Sequence, residues 1–402
     1  MHKYLSKLTF WRCVAALLLA AGAYSTYVRF TGGLGASTHL SDRFPWGLWI
    51  GFDVLCGVGL AAGGFTLCCI VYIFNIKRFE PIIRPTVLTA FMGYLLVIVA
   101  LMFDLGRPWA IWHAIIMWNP HSVMFEVAWC VMLYTTVLSL EFAPVVLEKF
   151  KLTKTVKLLK KLSIPIVILG VILSTLHQSS LGSLYLIVPY KLYPLWYTPY
   201  LPLFFYVSAI AVGCGMVIFE SFLSGRAFKR SIELNLLSQV GKVAAVVLAV
   251  LLTMRFMDVY NRQIFGLLFL PRTETYLYWM EIGVGILVPL LALSFDRVRK
   301  SERGLFLSAV MIILGFVLDR LNIALTGMEG AAGLSYFPSW MEISVTVAIV
   351  TAGFVVFSFA AKYLNLFEHE VIEQPGILPA HEAWAEDLNL VSQPYAAERI
   401  AQ

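Results

Sequence analysis

Apolar stretches long enough to cross a bilayer recur from one end of the chain to the other, at roughly 10–30, 46–76, 84–103, 121–143, 163–188, 200–223, 240–260, 275–295, 303–325 and 339–364. No water reaches the hydrocarbon core, so each spanning segment must satisfy its own backbone N–H and C=O groups, which leaves helices or closed barrels. Runs of this length without alternation predict about ten transmembrane helices. The composition agrees: 60% of the 402 residues are hydrophobic and 13% charged, with mean hydropathy +0.81, against about half apolar and a quarter charged in a soluble domain. No soluble domain is left over, since residues 1–9 are short and 366–402 form a polar, acidic tail. Ala21-Gly22-Ala23 resembles a signal-peptide cleavage site, but Lys3 and Lys7 ahead of the first span equally fit a retained anchor.

Basic residues set the expected orientation. Connections after the second, fourth, sixth and eighth spans hold Lys77, Arg78 and Arg84; six lysines from Lys149 to Lys161; Arg226, Lys229, Arg230 and Lys242; and Arg297, Arg299, Lys300 and Arg303. The alternate connections hold only Arg29, Arg43, Arg107, Lys191, Arg262 and Arg272. This bias places the first set, and both termini, in the cytoplasm. The net charge of +6 is then positive-inside charge at a lipid surface, and no nucleic-acid partner is implied. Connections on the opposite face are long and rich in Trp, Pro, Gly, Tyr and His, as in RPWAIWHAIIMWNPH and PYKLYPLWYTPYLP. An interfacial aromatic belt accounts for about half of them; the rest suit the docking of a partner protein.

Ionisable residues interrupt the apolar runs at similar depths near that aromatic face. Asp53 lies within PWGLWIGFDVLCGVG, Glu126 within HSVMFEVAW and His177 within STLHQSSLGSLY, while Asp104 and Arg107 close LMFDLGRPW. A charge in hydrocarbon costs several kcal/mol, so such groups are paired, line a hydrated cavity or do chemistry. Taken singly, each has a bland account: an i,i+3 ion pair for Asp104–Arg107, an interhelical hydrogen bond for Asp53 or Glu126, a structural histidine for His177. Their clustering favours a site.

A parallel internal repeat organises the middle of the chain, with spans 2–5 matched by spans 6–9. FDLGRP faces MRFMDVYNR, so Asp104 and Arg107 are mirrored by Arg255 and Asp258. HSVMFEVAW faces YLYWMEIGV, aligning Glu126 with Glu281, and His177 falls near the level of Asp319 and Arg320. The expected fold is thus an all-α integral membrane protein: two repeated four-helix bundles, 44–198 and 199–327, plus two flanking helices, the first after an N-terminal helix-and-loop segment 1–43 and the last at 328–365, with a cytoplasmic tail 366–402.

Redox centres held by the chain itself are not expected. A b-type haem takes paired axial ligands, and of His2, His39, His113, His121, His177, His369 and His381 only His177 is deep. Cys13, Cys56, Cys68, Cys69, Cys130 and Cys214 lie in apolar spans and form no CxxC set, so neither an iron–sulfur nor a zinc site is indicated. What remains is a proton-active pocket walled by Trp46, Gly47, Trp49 and the glycines Gly51, Gly57, Gly59, Gly63 and Gly64. A quinone fits it, needing hydrogen-bonding groups that exchange protons and apolar, aromatic walls. The glycines equally serve helix packing.

FPWGLWIGFDVLCGVGLAAGG, FDLGRP, NPHSVMFEVAW, LEFAPVVLEKF, TLHQSSLGSLY, YPLW and YFPSWME resemble the HybB-type membrane subunit of periplasmic nickel–iron hydrogenases, within the polysulfide reductase NrfD-like superfamily. The similarity runs from about Phe44 to Leu364. The resemblance implies a haem-free quinone subunit that passes electrons between a periplasmic iron–sulfur subunit and the membrane quinone pool, menaquinone or ubiquinone. It implies a quinone pocket formed by the PWG-to-Asp53 helix, the Glu126 helix and the His177 segment. His177, Asp53 and Glu126 are then the expected catalytic groups, with Trp46, Gly47, Trp49, Asp104, Arg107, His121 and Ser180 around the ring. Glu141, Glu220, Arg255, Asp258, Glu281, Asp319 and Arg320 offer parts of a proton path. The acidic tail departs from the family pattern. Two rivals remain: the anchor of a molybdenum-enzyme or multihaem cytochrome complex, and a proton-coupled secondary transporter, against which the parallel repeat counts.

Overall fold

The computed structural model describes residues 10–61, 83–228 and 233–364. Outside them fall the second half of the second span, with Gly63, Gly64, Cys68, Cys69, Lys77 and Arg78; Lys229 and Arg230; Lys3, Lys7, His2, His369 and His381; and the acidic tail from residue 366. Among the described residues the chain is helical, apart from an isolated Ser41–Phe44 bridge.

Nine described helices are long and apolar enough to cross a membrane: α1 Phe10–Gly32, α3 Ile83–Asp104, α4 Val123–Lys149, α5 Ser163–Leu186, α6 Leu201–Phe228, α7 Leu234–Asn261, α8 Thr273–Ser294, α9 Glu302–Ala332 and α10 Trp340–Tyr363. A shorter apolar helix, α2 Trp49–Leu60, opens the second span. Local chemistry sets several ends. Ser122 and Ser301 accept backbone N–H bonds as N-caps of α4 and α9, and Ser339 with Glu342 forms a capping box at α10. Gly333, at φ 64°, ends α9 in the left-handed conformation that glycine adopts without strain. A short amphipathic helix, Thr153–Lys161, joins α4 to α5 and buries Val156 beneath four lysines.

α3, α4 and α5 pack in sequence, with α2 against α3; α6, α7, α8 and α9 form a second group; α5 on α6 and α2 on α9 join the two; and α1 lies along α10, which packs on α3. Small residues let the backbones meet, since packing rather than water exclusion holds helices together in lipid. A methyl group on Gly315 would sit 2.0 Å from the Gly285 Cα, one on Gly182 2.6 Å from the Pro202 Cα, and one on Gly22 2.2 Å from the Ala348 Cβ. Trp49, Phe103 and Val345 form a buried apolar cluster where α2, α3 and α10 meet, with Leu34 and Ile349 against it. It fixes the start of α2, the segment that carries Asp53.

Three stretches widen from α- to π-helical geometry: Trp49–Cys56, Glu281–Leu287 and Asn322–Thr326. Each carries a buried polar residue, Asp53, Glu281 or Asn322. Such bulges insert a residue into the turn and re-aim its side chain, and they recur at functional sites.

Candidate functional site

His177 lies two-thirds of the way along α5 towards the aromatic face, fully buried. Its Nδ1 meets the Tyr94 hydroxyl of α3 at 2.9 Å, and Tyr94 packs edge-on to Tyr134 of α4. His177 Nε2 has no partner among the described residues. Its neighbour Gln178 donates to the Val58 carbonyl of α2 at 3.3 Å, while the Gln178 Oε1 is also unpartnered. One face of α5 therefore presents an imidazole nitrogen and an amide oxygen to the bundle interior with their hydrogen-bonding capacity unused. Ser180 turns back on its own helix, donating to the His177 carbonyl at 3.1 Å.

Asp53 is 6% exposed and accepts from Thr346 Oγ1 of α10 at 2.7 Å. It does not bond His177: Asp53 reaches α10, whereas His177 reaches α3. The levels can still be ordered. Gln178 meets Val58, and Tyr185 packs edge-on to Trp46 at 5.3 Å, so Asp53 falls between them along α2, about 7 Å on the aromatic side of Val58. The Tyr185 ring is fully buried between Trp46 and Phe205, and its hydroxyl is unpartnered. Trp49 is 1% exposed and donates to the Glu342 carbonyl. Gly47 lies under Tyr336, whose hydroxyl a methyl there would approach to 2.3 Å.

The local Asp104–Arg107 pair is not made. Arg107 is exposed, because α3 ends at Asp104 and the chain turns outward through Pro108. The partner of the helix end is Arg29 of α1, buried, whose Nε and Nη2 donate to the Phe103 and Leu105 carbonyls at 2.7 Å each. Its charge also faces Asp104. Glu126 does not join the buried group either: α4 starts at Val123, which leaves Glu126 exposed in the first turn. His121, just before that helix, is exposed as well.

Glu342, fully buried, is a polar centre that the sequence reading missed. Its carboxylate accepts from the backbone N–H groups of His39 at 3.1 Å and Ser339 at 2.8 Å and from the Tyr336 hydroxyl. Tyr336 in turn accepts from the Leu48 N–H and stacks on Phe44 at 4.5 Å. The PWG segment before α2 is thereby tied to the start of α10. The signal was present as the capping-box spacing SWME within YFPSWME.

In the second group of helices the charges pair, but not as the repeat suggested. Arg255 does not pair with Asp258; it reaches Asp319 and, at 3.5 Å, Glu281. Asp258 pairs instead with Arg262 and accepts from Thr198 at 2.6 Å. The reason is the helical face: Arg255 points into the bundle, whereas Asp258 meets the connection before α6. Arg320 bonds Asp319 and Ser208 and lies 3.6 Å from the Phe205 ring centroid and 4.4 Å from that of Phe316. Glu281 accepts from Trp196 at 2.9 Å and Asn322 at 3.0 Å. Two arginines thus face two carboxylates, a matched set of the kind that makes a buried charge tolerable. Beside it a cavity of about 20 Å³, bounded by Ser208, Gly285, Gly315, Arg255, Glu281 and Asp319, has room for a water molecule. Nearer the basic face, Thr89 Oγ1 donates to Glu220 at 2.6 Å, and Glu141 is half-buried on α4.

Among the described residues no three His, Cys, Asp or Glu side chains converge as a metal site. Of the described histidines, His177 is enclosed against Tyr94, His39 meets the Phe337 carbonyl at 2.8 Å, and His113 lies on the connection after α3 with His121. They offer no facing pair for a haem.

Comparison with known proteins places this geometry in context. The family described as polysulphide reductase, NrfD, matches residues 36–330. A Nitratidesulfovibrio vulgaris protein without a descriptive name is 39% identical over 368 residues, 89% of this chain and 94% of its own. The probable Ni/Fe-hydrogenase 2 b-type cytochrome subunit of Escherichia coli is 36% identical, covering 80% of this chain and 83% of its own. The menaquinone reductase integral membrane subunit of N. vulgaris is 30% identical, covering 91% and 93%.

Proposed function

The chain belongs to the polysulphide reductase NrfD family, whose relatives here are membrane subunits of respiratory oxidoreductase complexes, and from that premise we propose that it is the subunit at which such a complex meets membrane quinone. Electrons pass between quinone and an iron–sulfur subunit docked on the aromatic face, the periplasmic side, with the basic face and both termini in the cytoplasm of a bacterial inner membrane. The names of two relatives favour a nickel–iron hydrogenase as catalytic partner and menaquinone as the quinone.

One observation carries the reading: His177 Nε2 is buried, unpartnered and aimed into an apolar bundle. A group of this kind costs about 1–3 kcal/mol unless something bonds it. A quinone carbonyl is an acceptor of the right kind, and the aromatic walls Trp46, Trp49 and Tyr185 suit its ring. His177 holds the proton at the carbonyl, with the Tyr94 hydroxyl fixing the imidazole. Asp53, bonded by Thr346, relays protons on the aromatic side, and Glu126 at the rim exchanges them with solvent. Arg29 and Asp104 hold the end of α3 beside this pocket.

Binding of a fluorescent quinol analogue to the purified complex tests the site. Saturable binding is expected, weakened about tenfold or more by His177→Ala or Asp53→Asn, as loss of one buried hydrogen bond to the ligand predicts. Equal binding by all three proteins places the quinone elsewhere and makes the cluster structural.

A further inference from the structure

The helix Thr153–Lys161 joins α4 to α5 at the basic face and packs on α4. Successive residues turn by about 100°, which sorts its side chains onto three sides. Val156 is buried and Leu159 half-buried against the bundle. Lys160 points to that side too, and pairs with Glu148 of α4 at 3.0 Å. Lys154, Lys157 and Lys161 share a second side at the i, i+3, i+7 spacing, and all three are exposed. Leu158 and Leu162, the latter just past the helix, share the third side at i, i+4. The three sides lie roughly a third of a turn apart.

This connection carries more apolar surface than the bundle covers: Phe150, Leu152, Leu158 and Leu162 are 43–66% exposed. In water such a cluster gains nothing. On a helix lying in the membrane surface the same flank sinks into the acyl boundary while the lysines reach up to the phosphates. The depth agrees, since α4 ends at Lys149 and α5 begins at Ser163. Lys149 donates to the Tyr363 carbonyl of α10 at 3.1 Å and lies 5.5 Å from that ring's centroid, the Lys and Tyr pairing expected where hydrocarbon meets headgroups. The charge is also unspent. Glu148 is already shared by Arg84, at 3.6 Å, and Lys160, and no described carboxylate pairs with Lys154, Lys157 or Lys161.

We propose that the α4–α5 connection is a binding site for anionic phospholipid of the basic-face leaflet. Lys154, Lys157 and Lys161 hold the headgroup phosphates, and Phe150, Leu158 and Leu162 lie against the acyl chains. Clustered lysines at a membrane surface recognise net negative lipid, and the leucine flank selects lipid over an acidic soluble partner, which would use the lysines and leave the leucines in water. The inference needs only that the chain spans a membrane and stands apart from the quinone reading.

The test strips lipid from the purified complex in a neutral detergent, titrates it with phosphatidylglycerol or phosphatidylcholine, and counts bound lipid by native mass spectrometry. Wild type is expected to take up phosphatidylglycerol about tenfold more tightly than phosphatidylcholine. Combined Lys154→Gln, Lys157→Gln and Lys161→Gln should remove that preference, and combined Leu158→Ser and Leu162→Ser should weaken the uptake of both lipids. All these side chains are exposed, so the variants are expected to fold, which an unchanged unfolding midpoint in detergent checks. A preference for phosphatidylglycerol undiminished in the lysine variant overturns the proposal and leaves those lysines to an acidic soluble partner. Equal affinity of wild type for the two lipids also overturns it. So does displacement of phosphatidylglycerol by inorganic phosphate together with wild-type uptake in the leucine variant, which would reduce the helix to a bare anion patch.

Discussion

Arg29 decides how α3 ends. The sequence offered Arg107, three residues beyond Asp104, as the obvious partner, because i,i+3 neighbours on a helix face one another. The helix stops at Asp104, so that spacing loses its meaning, and an arginine 74 positions before Phe103 donates to the freed carbonyls. Nothing local to α1 announces this; the partner is legible only once α1 is laid beside α3. Arg29→Ala should therefore destabilise the protein by about 2 kcal/mol, the worth of hydrogen bonds from a charged donor, read as a lowered unfolding midpoint in detergent. Arg107→Ala, on an exposed side chain, should leave the midpoint unchanged. His177 was legible because a histidine deep in an apolar run has few excuses. Glu126 misled because its depth was reckoned from an apolar run that begins before the helix does.

At the scale of helices, each expected span coincides with a described helix or the start of one, since bilayer thickness dictates length and apolarity together. The π-helical turns were not legible: they depend on one extra residue in a turn, which leaves hydropathy unchanged. Close approach between helices has the same character. Gly285 and Gly315 touch backbone to backbone, whereas nothing lies within 4 Å of where a methyl on Gly283 would point. Gly315→Ala should force α8 from α9 and lower the unfolding midpoint, and Gly283→Ala should not, although both are glycine-to-alanine changes in the same helix pair. The ion set between these helices predicts a further asymmetry. Asp319→Asn leaves Arg255 and Arg320 short of a partner and should cost about 3–5 kcal/mol, measured as loss of folded protein in detergent.

Across the whole molecule, the two faces differ in charge, and that asymmetry was readable from the connections alone. Lysines cluster on the helix Thr153–Lys161, and aromatic side chains such as Trp109, Trp118 and Tyr190 stand exposed at the other end. A cysteine placed at Lys157 should react with a membrane-impermeant thiol reagent only from the cytoplasmic side, and one at Tyr190 only from the periplasmic side; the reverse pattern would invert the proposed electron entry. The distribution of charge also separates two kinds of interior. Between α6 and α9 arginines and carboxylates match, which holds helices together. Around α5 the polar atoms outnumber their partners, which suits a ligand that comes and goes. Photolabelling of the intact complex with an azido-quinone, followed by peptide mapping, tests that contrast most directly. The account predicts label on α5 between Ser174 and Tyr185 and on the Trp46–Cys56 segment, suppressed by excess quinone. Suppressible label confined to α6–α9 would contradict it.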